Sequence, residues 1–224
     1  YNSIINGAAD WVYEEEFGFA KGFTWSPDSR RIAFYRFDES QVPLFNMTMY
    51  EHKLYPINDT FKYPKAGEKN SIVTIQVYTL ENGKTVKMDV GPETDQYIAR
   101  IKWTPDAAKL SMIRMNRLQN QLDIMLANPD NGASTIVYQE KNSRYIEEVD
   151  DSYLTFTPDS KEFIITSEKS GWRHIYHYDI TGKQLHQVTS GNWDVTAILG
   201  FDPKAKLVYY QAAEESPLRR NVYA

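Results

Sequence analysis

Apolar and polar residues alternate in short runs along most of this chain, and turn-forming residues separate the runs. Alternation with a period of two predicts half-buried β-strands rather than helices. One pattern recurs four times: an aromatic residue, a small or polar residue, Pro, more polar residues and an apolar run. The copies occupy residues 23–34, 101–112, 154–165 and, in a weaker form, 199–209. Pro fixes the φ angle of a turn and a nearby Asp or Ser side chain can bond to the backbone, so each copy predicts strand, tight turn, strand.

A second predicted hairpin follows each of the first three copies, at residues 73–88, 122–138 and 175–188. Two of them turn at Asn-Gly, which is a strong hairpin signal. Two hairpins make a four-stranded unit, and a repeat of about 40 to 50 residues is typical of β-propeller blades. The sequence therefore predicts an all-β fold, a β-propeller fragment of about three to four four-stranded blades. The alternative from the same pattern is an open β-sandwich.

The spacing of the repeats also predicts an insertion. The prolines of successive copies lie 78, 53 and 45 residues apart. The first interval is too long for one blade, and the proline-containing segment 40–70 accounts for the excess. We expect this segment to form an arm that projects from its blade.

Composition narrows the classes of function. The chain of 224 residues has 25 Lys and Arg against 30 Asp and Glu, a net charge of −5, so a nucleic-acid partner is not expected. It has no Cys, which excludes disulfides and thiolate metal sites. The chain starts without Met and ends on an apolar-aromatic alternation that predicts an unfinished strand at 221–224. We therefore expect residues 1–224 to be the central part of a β-propeller domain.

Common catalytic motifs are absent from the sequence. The glycine frame that resembles a nucleophile elbow carries Ala20 in place of a nucleophile, and there is no phosphate loop or H-E-x-x-H motif. His174 and His177 are three residues apart on a predicted strand, so they point to opposite faces and cannot share one metal ion. We expect no catalytic residue, metal site or cofactor in this chain.

The remaining candidate is the run Glu14-Glu15-Glu16, which large apolar residues frame on both sides. A charge run is most often a solvated loop. If the apolar neighbours are buried, however, the carboxylates lie in a partly dry place and need a cationic partner. A primary ammonium suits two adjacent carboxylates, because it has three donors and no acceptor.

Residues 10–16, DWVYEEE, resemble the double-glutamate motif of the dipeptidyl peptidase IV family of prolyl oligopeptidase-like serine peptidases. Shorter stretches resemble the family in the same order along the whole chain. They are WSP at 25–27, VPL at 42–44, YPKAG at 63–67, WRHI at 172–175 and GNWDV at 191–195. The absence of Cys makes a bacterial member the closer fit, and the loop 143–152 departs from the mammalian pattern.

The resemblance implies an eight-bladed propeller joined to an α/β-hydrolase domain that is absent from this chain. It implies an exopeptidase that releases X-Pro and X-Ala dipeptides from free peptide N-termini, with Glu15 and Glu16 binding the α-ammonium. The fragment alone would lack the Ser, Asp and His of the triad and be inactive. The implied partners are the peptide, the hydrolase domain of the same chain and a second copy that binds through the 40–70 arm. The implied location is periplasmic, cell-envelope or extracellular.

Two other functions fit the same sequence. One is the propeller of a prolyl tripeptidyl peptidase, which shares the architecture and an ammonium-binding glutamate pair. The other is a non-catalytic propeller that binds proteins and carries the glutamates as a surface feature.

Overall fold

A computed structural model describes residues 3–147 and 149–224 of the chain, and residues 1, 2 and 148 lie outside the described part. The fold is all-β, as predicted, apart from one short helix, α1 (Trp11–Glu16). The strands of the first half are β1 (Ile4–Asn6), β2 (Phe23–Trp25), β3 (Arg31–Asp38), β4 (Leu44–Met49), β5 (Ile57–Lys62), β6 (Ile72–Thr79), β7 (Thr85–Lys87), β8 (Gln96–Trp103) and β9 (Leu110–Asn116). Those of the second half are β10 (Gln121–Ala127), β11 (Ser134–Lys141), β12 (Leu154–Phe156), β13 (Glu162–Ser167), β14 (His174–Asp179), β15 (Gln184–Gln187), β16 (Val195–Asp202), β17 (Leu207–Ala212) and β18 (Asn221–Tyr223).

The strands form consecutive antiparallel sheets in chain order. The first sheet has the order β1-β3-β6-β7, with β2 also pairing with β3. The second contains β8 to β11, the third β12 to β15 and the fourth β16 to β18, each built from neighbours in sequence. All the predicted hairpins are confirmed, and β18 confirms the strand predicted at the end of the chain.

The repeated turn motif has one structure in its first three copies. The hydroxyl before Pro donates to the Asp after Pro over 2.6 to 2.7 Å and accepts the N–H of the residue five positions on. The three sets are Ser26, Asp28 and Arg31; Thr104, Asp106 and Lys109; and Thr157, Asp159 and Glu162. The residue directly after the Asp adopts a positive φ in each of these copies, at Ser29, Ala107 and Ser160. The side chain thus closes the turn that joins the first two strands of a sheet.

Buried apolar side chains form one continuous core across the first three sheets. A smaller cluster of Ile164, Ile175 and Val195 joins the third sheet to the fourth. Within residues 3–147 and 149–224, no helix has the length and apolar character needed to cross a lipid bilayer.

The segment predicted as an insertion contains β4 and β5, which pair with each other as a separate two-stranded sheet. Its tip is strongly exposed: Leu54 is 95% and Tyr55 is 83% accessible. At its base, the Tyr63 ring packs edge-on against Trp11 of α1, with centroids 4.3 Å apart. The arm is therefore in contact with the segment that carries the glutamates.

Candidate functional site

The glutamate segment is an insertion within an interrupted strand. β1 and β2 pair with consecutive parts of β3, so together they occupy the length of one strand. Gly7 N–H donates to Tyr35 O and Tyr35 N–H donates to Gly22 O, both at 2.9 Å. The chain therefore leaves the sheet and rejoins it opposite the same residue of β3, Tyr35. An antiparallel bridge between Ala8 and Lys21 closes the neck. The neck requires glycine, because Gly7 has φ +73° and a Cβ on Gly22 would lie 3.1 Å from the backbone of Ala8.

Asp10 starts the helix within this insertion. Its Oδ1 accepts the N–H of Tyr13 at 2.9 Å, which makes it a typical N-cap. Its Oδ2 accepts the hydroxyl of Ser71 at 2.6 Å, and the whole side chain is buried. Burial raises the pKa of Asp10, and the two hydrogen bonds oppose that shift. The helix ends at Glu16 with Phe17 as its C-cap, and Gly18 follows with φ +66°.

The inward face of α1 packs between the first two sheets. Val12, Tyr13 and Phe17 are buried, and the Tyr13 ring lies 4.9 Å from Phe37 and 5.0 Å from Phe17. The Tyr13 hydroxyl accepts the N–H of Ile98 in β8 at 2.8 Å. The helix is thus bonded through Asp10 to Ser71, directly before β6 of the first sheet, and through Tyr13 to β8 of the second.

A bulge in β8 provides the second attachment. The pairing of β8 with β9 shifts between Ile98 and Arg100, and such a bulge re-aims the adjacent side chains. Arg100 donates from Nη2 to the carbonyl of Phe17 at 2.7 Å and from Nε to Asp151 Oδ1 at 2.8 Å. Its guanidinium lies 5.2 Å from the ring centroid of Phe19. One side chain therefore joins the end of the helix, the second sheet and the loop that leads to the third sheet.

The outward face of α1 carries all three glutamates. Glu14, Glu15 and Glu16 are exposed, and none of their carboxylates has a hydrogen-bond or ion-pair partner within the part of the chain that the structure describes. The apolar neighbours Val12, Tyr13 and Phe17 are buried and Trp11 is half-buried, but the carboxylates are not in a dry place in this chain. The glutamates lie on a helix, which the sequence did not predict.

A cleft of about 540 Å³ adjoins the residues that follow α1. Phe19 and Tyr35 line its apolar side, and Arg100 and Lys102 line its cationic side. Lys102 Nζ donates to the carbonyl of Leu154 at 2.6 Å, and burial lowers the pKa of this lysine. Arg100 and Lys102 are thus already bonded to protein oxygens, whereas Lys21, which also lines the cleft, holds its ammonium 4.8 Å from the ring centroid of Phe23.

The histidines behave as the sequence predicted. His174 is buried, with its ring nitrogens 3.1 Å from Thr189 Oγ1 and 3.0 Å from the carbonyl of Gly191. His177 lies on the other face of β14, 2.9 Å from Glu162 Oε2. Among the described residues, no group of three or more His, Asp or Glu side chains is arranged to hold a metal ion.

Sequence reasoning missed three residues that position the glutamates: Asp10, Tyr13 and Arg100. The N-cap had a signal, because Asp directly before an apolar run with acidic residues in the first turn is typical of a helix start. Tyr13 and Arg100 had none, since their contacts join residues 85 and 83 positions apart.

Comparisons with known proteins show which family this chain is similar to. The model of the dipeptidyl peptidase IV (DPP IV) N-terminal region matches residues 1–224. Dipeptidyl peptidase 4 of Trichophyton equinum is 31% identical over 241 residues, which cover 99% of this chain and 30% of that protein. Dipeptidyl peptidase 4 of Trichophyton rubrum is 30% identical over 232 residues, with the same coverage. The crystal structure of Porphyromonas gingivalis dipeptidyl peptidase 4 superposes with a TM-score of 0.92 at 46% identity, over 99% of this chain and 31% of that one. The chain thus spans about 30% of the length of these curated relatives.

Proposed function

The chain belongs to the dipeptidyl peptidase IV N-terminal region family, and from this premise we propose that it is the substrate-recognition part of a serine exopeptidase. In this proposal Glu15 and Glu16 bind the α-ammonium of a peptide with a free N-terminus. The intact enzyme then releases X-Pro and X-Ala dipeptides.

The observation that carries this proposal is a set of unpaired carboxylates on a firmly attached helix. Glu15 and Glu16 lie in the last turn of α1, which contains no basic residue of its own. Negative charge near the C-terminal end of a helix is unfavourable, by about 0.3–1 kcal/mol per charge. Charges that lower stability and have no internal partner support a role toward an external cation.

The chemistry follows from the groups available. A peptide ammonium has three N–H donors, and each charge-assisted hydrogen bond to a carboxylate contributes about 1.5–3 kcal/mol. Anchoring the terminus at a fixed distance from a nucleophile selects one peptide bond for cleavage. The attachments of Asp10 to Ser71, Tyr13 to Ile98 and Arg100 to Phe17 make that distance reproducible, because they limit movement of the helix at both ends.

The remaining machinery belongs to the longer protein in this proposal. The four consecutive sheets would be blades of a β-propeller that closes only with further blades, and a hydrolase domain would supply the nucleophile. We therefore expect the purified chain to cleave no Gly-Pro reporter. Cleavage by the chain alone would contradict this division of labour.

The segment 40–70 would contribute a two-fold contact between copies of the intact enzyme. Tyr50, Leu54 and Tyr55 support this role because they expose a large apolar surface at the tip of the arm. Phe61 and Tyr63, nearer the base, are only half-exposed, and Tyr63 packs on Trp11. Deleting the arm from the full-length protein should convert a dimer to a monomer in light scattering, and an unchanged mass would exclude this role.

Substitution of the glutamates in the full-length protein tests the central claim. Glu15→Gln and Glu16→Gln keep the side-chain size and remove one charge each. Losing one charged partner of a desolvated ammonium costs about 2–5 kcal/mol, so kcat/KM should fall by about 30- to several-thousand-fold. Glu14→Gln is the matched control and should change kcat/KM much less.

Acetylation of the substrate provides the complementary test. An N-acetylated peptide has no positive charge at its terminus, so the wild-type protein should not cleave it. The proposal fails if the acetylated peptide is cut at a similar rate, or if both Gln variants keep near wild-type kcat/KM. A tripeptide as the released product would keep the glutamate role but assign the enzyme to the tripeptidyl class.

A further inference from the structure

We propose that Arg100 is a positioning residue for substrate recognition: it holds the end of α1 and thereby sets the place of Glu15 and Glu16. This inference rests on the proposed function, since it concerns how the glutamate pair is held. Arg100 touches the helix backbone and not the carboxylates, so its effect on substrate must pass through the glutamates.

The contact is made next to the glutamate pair. Phe17 directly follows Glu16, and its carbonyl is one of the helix-terminal acceptors that the helix itself cannot satisfy. Arg100 Nη2 donates to this carbonyl at 2.7 Å. The hydrogen bond therefore fixes the backbone one residue away from a proposed ligand of the ammonium.

The rest of the guanidinium is fixed as well. Nη1 donates to the carbonyl of Ala99 at 2.8 Å, and Nε donates to Asp151 at 2.8 Å. A planar guanidinium with three of its donors bonded in different directions has little freedom to rotate. Arg100 thus fixes the end of α1 relative to the backbone of β8.

Charge strengthens the same arrangement. The Arg100 side chain is only 14% exposed, whereas that of its partner Asp151 is 94% exposed. The Asp151 carboxylate is therefore largely hydrated. A cation beside the last turn of a helix is favourable, because it opposes the negative end of the helix dipole. The charge of Arg100 therefore favours its place at the end of the helix that carries the glutamates.

A double-mutant cycle in the full-length protein tests the inference. Arg100→Met removes all three hydrogen bonds and should lower kcat/KM for a free-N-terminal Gly-Pro reporter by about 10- to 100-fold. In a Glu15→Gln/Glu16→Gln background the same substitution should cost less than about 3-fold, because the ligands that it positions are already disabled. Arg100→Lys should recover part of the loss, since a lysine can still donate to the Phe17 carbonyl.

Arg114 offers a matched control for general damage. It lies in β9 of the same sheet, its side chain is 18% exposed, and it pairs with buried Asp123 at 2.6 Å. Arg114→Met should lower the melting temperature, and its effect on kcat/KM should be the same with and without the glutamates. If Arg100→Met does not fold, Arg100→Lys carries the test with a smaller loss and the same dependence on the glutamates.

The outcomes separate the two claims. If the glutamate variants keep full activity, the proposed function fails and the positioning role falls with it. If the glutamate variants lose activity but Arg100→Met costs nothing, or costs as much in both backgrounds, the function stands and the positioning role is wrong.

Discussion

Replacing Tyr13 by Phe tests how strongly α1 is fastened to the second sheet. The Ile98 N–H donates to the Tyr13 hydroxyl at 2.8 Å, and both groups are buried. The substitution removes one oxygen and leaves the ring contacts with Phe17 and Phe37 in place. A buried amide then loses its acceptor, which costs about 1–3 kcal/mol.

Amide hydrogen exchange in the full-length protein measures the effect of this loss directly at the Ile98 amide. The Ile98 amide should exchange about 5- to 150-fold faster in Tyr13→Phe than in the wild type. Exchange in α1 should also accelerate, because the helix loses one of its attachments to the sheets. Strands of the third sheet, such as β13, should exchange at the wild-type rate.

Tyr35→Phe is the control, because Tyr35 belongs to the same aromatic cluster. Its ring stacks on Phe37 at 5.7 Å, but its buried hydroxyl has no hydrogen-bond partner among the described residues. Removing an unpaired buried hydroxyl should be neutral or stabilising. Equal exchange at Ile98 in the wild type and in Tyr13→Phe would refute the reasoning, as would an equal loss from Tyr35→Phe.

Three further substitutions test other parts of the structure. Asp10→Ala removes the N-cap and both of its hydrogen bonds, so local opening of α1 should become about 2–4 kcal/mol easier by hydrogen exchange, whereas Asp28→Ala in an exposed turn should leave α1 unchanged. Burial raises the pKa of Asp10, so the folded state favours its protonated form. The resulting contribution of Asp10 to folding stability is fully present below about pH 3.9 and is lost as the pH rises through the raised pKa. The stability of the wild type relative to Asp10→Asn should therefore fall as the pH rises above about 4, and a constant difference in unfolding midpoint would contradict the assignment. Gly182→Ala should destabilise by about 2–4 kcal/mol in thermal unfolding, because a Cβ there overlaps the Val137 carbonyl at a positive φ; Gly171→Ala, also at positive φ but with open space around it, should cost less.

The sheets were predictable because their signals are local. The hydroxyl, Pro and Asp of the first three repeated turns lie within three residues, and the Ser26 and Asp28 side chains close their turn without help from distant parts of the chain. The helix was not predicted because α1 has six residues, fewer than two full turns, and shows no helical period. Only the N-cap Asp10 marked it.

The positioning of the glutamates could not be read from the sequence, because it depends on where strands meet in space. The bulge in β8 places Arg100 under the helix end, and nothing in the local sequence of β8 indicates that register shift. The glutamates themselves were found from their neighbours, and their exposure agrees with the expectation that a charge run most often faces water. The flanking apolar residues did not show which way each glutamate side chain points.

The insertion that carries the glutamates has a further consequence for how its specificity can change. Its neck would allow residues 8–21 to be exchanged as a unit, since the strand resumes at the residue where it stopped. Its inward side chains forbid this, because Tyr13 and Phe17 are 2% and 1% exposed and belong to the core between two sheets. Substitution can therefore alter the outward positions one at a time, but a transplanted loop must also carry aromatic side chains that fill the space of Tyr13 and Phe17. Changes in specificity that keep this fold are therefore confined to the exposed face of α1, a helix less than two turns long.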